Sequence, residues 1–306
     1  MDILYLIFIK IIPLYIFVII GFIAGRYLNI NAKGIGKLII YIIAPFVIFE
    51  AITHSNLSLS TFSLPIIIFL MCSLISYFFY KYGKYLYGDA RANVLSVVAS
   101  EGNTGYFGIP IALLLFNQNV FGIYILGTLG VTIFENTVVY YLTARGRYTV
   151  KESFNRLKKL PAIYAFLFAI IFLYFELKLP VFMDNFVISM QGAYVTLGMM
   201  LIGFGISSIK NLSFDYKFIS LSFLGKFVVW PLLMLILVLI DHYLFQFYTI
   251  EIYRAFMLLS IVPIAANTVI FATALDVFPE KVSSAVLFST IFALLYVPII
   301  IVILFK

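Results

Sequence analysis

Cysteine is almost missing. Cys72 stands alone inside an apolar run, which excludes an intrachain disulfide and any cysteine-built metal site. Charge is scarce as well: Asp, Glu, Lys and Arg make up 11% of 306 residues, where an ordinary soluble domain carries roughly a quarter. Histidine occurs only as His54 and His242, both expected in solvated outer loops with no ligand partner at metal-binding spacing. No His-Glu-x-x-His, Gly-x-Ser-x-Gly or phosphate-loop pattern is present, so the reading is not an enzyme and no cofactor or metal is implied. Aspartate is missing from the middle of every apolar run, which argues against a cation/proton antiporter built on an intramembrane Asp pair.

What is present is apolar: 64% of the residues are hydrophobic. A water-soluble fold could not hide that much apolar surface, whereas lipid does not penalise it. The formal charge of +7 does not point to nucleic acid, because the basic residues sit in short gaps between apolar runs rather than on one face. The N-terminus has no basic region before its apolar stretch and no small-x-small cleavage pattern, so that stretch is read as a membrane span. A spanning helix needs about 20 mainly apolar residues. Ten runs qualify: 3–25, 36–53, 60–80, 92–116, 120–143, 161–176, 187–208, 216–240, 252–275 and 282–305.

Fifteen of the 20 lysines and arginines fall in odd-numbered gaps, six of them in the central one: Arg145, Arg147, Lys151, Arg156, Lys158 and Lys159. Even-numbered gaps hold Lys178, with Arg254 at the edge of span 9. Positive-inside bias therefore predicts cytoplasmic odd loops and both chain ends outside, in a multi-pass protein of the cell membrane. Lys10 and Lys306 fall on the wrong side but can snorkel from near helix ends.

Spans 1 and 6, 3 and 8, and 5 and 10 begin at nearly constant offsets. This predicts an all-α integral membrane fold of two five-helix halves, 1–155 and 156–306. Because five is odd, the second half enters the membrane inverted, a common design of secondary transporters. Coincidental helix spacing is the bland alternative.

Two spans should not be smooth helices. Span 4 contains Glu101-Gly102-Asn103-Thr104-Gly105-Tyr106-Phe107-Gly108-Ile109-Pro110, and span 9 contains Pro263-Ile264-Ala265-Ala266-Asn267-Thr268. Proline deletes a backbone hydrogen bond, and freed peptide groups cannot stay unpaired in lipid. Interrupted segments at corresponding positions of two halves point to a transport site. Their half-helix N-termini suit an anionic group, with side-chain partners from Asn103, Thr104, Asn267 and Thr268. The alternative is that each proline kinks a packed helix. Thr104–Gly108 superficially resembles a potassium-channel filter, but it lies inside a crossing segment rather than a re-entrant loop.

Glu101, Glu135 and Lys226 lie within spans 4, 5 and 8, and Glu50 lies near the outer end of span 2. Charges there are costly and face a partner or a cavity. Glu101 and Glu135 are candidates for proton coupling. A Lys226–Glu135 ion pair, or a lysine capping half-helix C-termini, is the structural alternative. Pro45 in span 2 and Gly198, Gly203 and Gly205 in span 7 sit at matching repeat positions and are read as bends and close-packing points.

Ten spans, Pro45, the Asn103-x-Gly105-x-x-Gly108-Ile109-Pro110 crossover and the Pro263…Asn267 crossover resemble the auxin efflux carrier family of permeases. The short central loop, 144–160, looks like that of a compact prokaryotic-type member. The resemblance implies a fold similar to sodium/proton antiporters and bile-acid symporters, with spans 1, 2, 6 and 7 as scaffold. Spans 3–5 and 8–10 would be the moving unit, with 4 and 9 crossing at the substrate. It implies a small organic anion as substrate, auxin-like or a dicarboxylate such as malate or malonate. By motif, Asn103, Pro110, Pro263 and Asn267 would line the site; Glu101 is not matched to the pattern, and its role stays open. The expected substrate-binding set is Asn103, Thr104, Gly105, Pro110, Pro263, Asn267 and Thr268, with proton or sodium coupling through Glu101, Glu135 or Lys226. The lipid-facing scaffold suggests a homodimer.

Overall fold

The computed structural model describes residues 3–28, 30, 32–55, 58–144, 159–177, 179–207 and 214–304. Most of the basic central loop (Arg145, Arg147, Lys151, Arg156 and Lys158), with Lys178, Lys210 and Lys306, lies outside these residues, and so do the expectations placed on it.

The described chain is helical throughout, apart from its connections: α1 (Ile3–Tyr27), α2 (32–53), α3 (Leu59–Tyr87), α4 (Arg91–Ser100), α5 (Thr104–Leu115), α6 (Gln118–Thr143), α7 (Pro161–Tyr174), α8 (Asp184–Ser207), α9 (Tyr216–Phe245), α10 (Ile250–Ile261), α11 (Asn267–Ala274) and α12 (Pro279–Leu304). Among the described residues, α2 from Gly34, α3, α6, α8, α9 and α12 up to Ile303 are long and apolar enough to cross a membrane. Ile12–Tyr27, α5 and α7 are shorter apolar helices. Expected span 4 is α4 plus α5, and expected span 9 is α10 plus α11. Span 8 runs past its expected end at 240, because a π turn carries α9 on to Phe245.

Lipid-facing surface and core separate cleanly. Ile12, Ile16, Ile19 and Ile23 of α1 are exposed, as are Ile66, Leu70 and Leu74 of α3. α4, α6 and α10 form the interior: every residue from Val94 to Asn103 is buried, as is every residue from Val120 to Val131. α1 packs along α8, α3 along α4 and α6, and α10 against α6 and α9. At the α1–α8 contact, a Cβ on Gly203 would stand 2.5 Å from the Phe22 amide nitrogen, so this glycine is a close-packing point as expected. Gly205 faces open space, and packing does not require it.

Proline leaves carbonyls without their regular helical donor, and tyrosines supply one. Pro298 cannot donate to Leu294, whose carbonyl accepts from the Tyr15 hydroxyl at 2.7 Å. Pro231 cannot donate to Phe227, whose carbonyl accepts from the Tyr296 hydroxyl at 3.2 Å. In a medium without water these bonds replace solvation.

His54 departs from expectation: its Nδ1 lies 3.2 Å from Glu50 Oε1, one helical turn away, so it has a carboxylate partner. On the other chain face, Asp215 caps α9. Its Oδ1 accepts from the Phe218 amide at 3.0 Å, and Oδ2 meets the Lys281 ammonium. Burial raises this carboxyl, but the Lys281 ammonium and the Phe218 amide outweigh burial and hold it below the ordinary aspartate range. A depressed folded value stabilises fully above the unfolded value of about 3.9. That contribution is lost as pH falls through the folded value. Asp215→Asn should therefore lower the melting temperature at pH 7 and lose this part of the acid-side decline, as a melting series from neutral to acid pH will read.

Candidate functional site

Both expected interruptions are present, and they meet. α4 ends at Ser100, Glu101–Asn103 is non-helical, and α5 starts at Thr104. α10 ends at Ile261, Val262–Ala266 is non-helical, and α11 starts at Asn267. Gly102 and Ile264 form an isolated antiparallel bridge. The Asn103 amide donates to the Pro263 carbonyl at 2.7 Å, and the Ala265 amide donates to the Glu101 carbonyl at 3.1 Å. The break in span 4 comes earlier than its glycine-rich stretch suggests. Thr104–Gly108 winds as a π turn, and Pro110 sits in the first turn of the α-helix that follows, a position proline tolerates.

Several of the remaining freed peptide groups have side-chain partners. The Ile264 amide donates to Ser289 Oγ at 3.2 Å. Thr268 Oγ1 donates to the Ala265 carbonyl at 2.7 Å. Asn103 caps α5, its Oδ1 accepting from the Phe107 amide at 3.3 Å. The Tyr124 hydroxyl donates to the Thr104 carbonyl at 2.9 Å. The C-terminal carbonyls of the two first half-helices are answered from α9: Trp230 Nε1 donates to Ser100 at 2.6 Å, and Lys226 Nζ to Ser260 at 3.3 Å. The negative end of α10 thus faces a fully buried ammonium and that of α4 an indole N–H.

Lys226 therefore matches the capping alternative rather than an ion pair with Glu135: no Lys226–Glu135 contact occurs among the ion pairs of the described residues. Its ammonium also stands 4.9 Å from the centre of the Trp230 ring. A Cβ on Gly102 would stand 2.7 Å from Lys226 Nζ and 2.9 Å from Val262 Cγ2, so a larger residue there would push the ammonium aside. Glu101 next to it is fully buried, and neither carboxylate oxygen has a hydrogen-bond partner. Glu135 lies on the opposite side, at the start of α11, where Asn267 Nδ2 donates to its Oε1 at 2.8 Å. Glu135 opens one π turn of α6, and Lys226 lies inside one of α9. Such bulges re-aim side chains and recur at functional sites.

A cavity of about 350 Å³ adjoins the crossover. Asn103, Thr104, Gly105 and Asn267 lie on its wall, together with Glu135. Pro110, Pro263, Thr268, Glu101 and Lys226 lie behind that wall, in the packed layer. Further lining comes from Thr128, Thr132 and Asn136 of α6, from Tyr106 and Tyr194, and from apolar residues of α2 and α11. Lys159, at the foot of α7, stands at its edge. Sequence reading missed Trp230, although it lies one turn after Lys226 and so on the same helix face. It also missed Tyr124 and Tyr194, which carry no local signal separating them from ordinary apolar-helix tyrosines.

The sequence of the membrane transport protein family matches residues 6–160 and 147–301. The chain belongs to this family, of the auxin efflux carrier type. It is also 27% identical over 296 residues to an uncharacterized transporter of Methanocaldococcus jannaschii, covering 92% of this chain and 94% of the relative. Fold and family together make this a multi-pass membrane transporter.

In this transporter the Trp230 indole answers a buried helix-end carbonyl. Trp230→Phe keeps the ring but leaves Ser100 without that donor. A loss of about 1–3 kcal/mol is expected, read as a lower melting temperature of the purified protein in detergent.

Proposed function

We propose that this transporter moves a small organic anion, an auxin-like acid or a dicarboxylate, by alternating access, and that the cavity at the crossover is its binding site. The observation that carries the reading is the pairing of two unwound segments beside a cavity. Asn103, Thr104 and Asn267 there are polar, while Tyr106, Tyr194 and Phe271 offer an aromatic wall. The second half-helices start at this cavity, so their N-terminal partial positive charge favours a carboxylate there. The architecture that fits is ten crossings in two inverted five-helix repeats, 1–155 and 156–306. Helices α1, α2, α7 and α8 serve as scaffold, the remainder moves, and the scaffold is the surface through which a homodimer would form. Both chain ends face outside the cell membrane, so Lys159 marks the cytoplasmic mouth of the cavity. A sodium-coupled anion symporter or cation/proton antiporter on the same fold is the rival.

Purified protein screened by thermal shift against organic anions should give a ligand that raises the melting temperature by mass action. That shift should vanish in Asn103→Ala and in Asn267→Ala. A shift surviving both substitutions moves the site elsewhere. In proteoliposomes the flux should saturate with substrate, as a channel's would not.

Glu135 sets a condition on an anionic guest. Two carboxylates on one small cavity repel unless one carries a proton, so a proton on Glu135 is the coupling this reading favours. Glu135→Gln should flatten the pH dependence of uptake while leaving ligand binding at acid pH intact. An unchanged pH profile excludes coupling through this residue.

A further inference from the structure

We propose that the last turns of α3 form a docking site for the headgroup of an anionic phospholipid, with Lys81 and Lys84 on its phosphate and tyrosines beside them. Two stripes run along α3. One is buried: Leu64, Ile68, Cys72, Ile75, Phe79 and Gly83. The other faces outward and changes character part-way. It is aliphatic through Ile66, Leu70 and Leu74. From Tyr77 it turns aromatic and basic: Tyr77, Phe78, Lys81, Tyr82, Lys84 and Tyr85 are all exposed. Core packing does not ask for the change, because the buried stripe continues past it. Length does. Tyr77 stands about 27 Å from Leu59 along the helix axis at 1.5 Å per residue, and the hydrocarbon core is about 30 Å thick. The residues from Tyr77 to Tyr87 carry the helix about 15 Å further, through the headgroup layer.

The cations at this level lack a carboxylate. Among the described residues neither Lys81 nor Lys84 has an ion-pair partner, whereas acids on the neighbouring elements are engaged, Asp89 with Arg91 at 2.9 Å and Asp215 with Lys281. Lys81 Nζ lies instead 5.6 Å from the centre of the Tyr77 ring, one turn back. Lysines three residues apart on one helix face converge on a single anion. A phosphodiester supplies that anion, tyrosine hydroxyls can donate to its oxygens, and the aliphatic stripe receives its acyl chains. A zwitterionic lipid brings its own cation and leaves the lysines unbalanced. The orientation proposed above puts this end in the cytoplasmic leaflet, whose anionic lipids attract juxtamembrane cations. Packing joins the site to the crossover. A Cβ on Gly83 would stand 3.0 Å from the Ala92 Cα, so the end of α3 lies backbone-close against α4, the half-helix that stops at Ser100. A lipid held at Lys81 and Lys84 therefore anchors the helix pair that leads into the crossover.

The meaning of this anchor for transport rests on the reading proposed above, but its test uses no substrate and so fails or succeeds separately. Melting temperatures are measured in neutral detergent with added phosphatidylglycerol, with added phosphatidylcholine and with inorganic phosphate. Phosphatidylglycerol should raise the melting temperature of the wild type by several degrees over phosphatidylcholine. High salt should shrink that gain, and inorganic phosphate should give none. Lys81→Gln combined with Lys84→Gln should remove the gain while melting like wild type in phosphatidylcholine, since both side chains are exposed. Lys81→Arg combined with Lys84→Arg should keep it. Arg26→Gln combined with Lys37→Gln deletes the same charge from exposed positions on α1 and α2, and should keep it too. A wild type with no gain over phosphatidylcholine, a gain that survives the Lys81 and Lys84 glutamines, an equal loss in the Arg26 and Lys37 pair, or the same gain from inorganic phosphate would each overturn the proposal.

Discussion

A peptide group in lipid has no water to turn to, and this constraint organises the molecule. Two helices stop halfway, and the backbone they expose is closed by pairing the two stretches with each other. Asn103 bonds to Pro263 and Ala265 to Glu101, so each segment completes the other. The residues around this knot are then explained by what remains unmatched: Ser289 for one amide, Tyr124 and Thr268 for two carbonyls, and Trp230 and Lys226 for the helix ends. The same logic extends to Tyr15 and Tyr296, each on a carbonyl that a proline cannot serve.

Function grows from what such a knot leaves on its two sides. On one, the C-terminal ends gather negative partial charge, and a buried lysine meets it. On the other, the second half-helices begin at a cavity whose wall includes Asn103, Thr104, Gly105 and Asn267, with Glu135 among them. The crossover thus separates Lys226 and Glu101, buried behind the wall, from the Glu135 carboxylate on the cavity side. A carrier that must bind and release a charged guest benefits from that separation, because the permanent charges are neutralised within the protein rather than by the guest.

Much of this was legible in the sequence. Apolar run lengths placed most helix ends to within a few residues, since lipid admits few alternatives to a spanning helix, although α3, expected to end at 80, runs on to Tyr87. Pro263 and the Gly-Pro-rich stretch of span 4 marked the two interruptions. Other features lay beyond local pattern. The break at Glu101–Asn103 takes in only the first of the three glycines, because its pairing partner and not its own composition decides where the helix opens. Lys226 could be placed inside a span, but its choice of Ser260 over Glu135 depends on a π turn with no clear sequence mark. Trp230 and Tyr124 act through carbonyls 130 and 20 residues away, a distance at which spacing arguments carry no information. Pro110 and Thr268 belong to the motif yet face the packing rather than the cavity.

The central claim is that the two unwound segments are bonded to each other. Solid-state NMR of membrane-embedded protein labelled with amide ¹⁵N on asparagine and carbonyl ¹³C on proline tests it directly, because no proline precedes an asparagine in the chain. Rotational-echo dephasing should report an Asn103–Pro263 pair at hydrogen-bonding range, consistent with the 2.7 Å N···O contact, and the signal should disappear in Pro263→Ala. Dephasing no greater than natural-abundance background in the wild type would contradict the account.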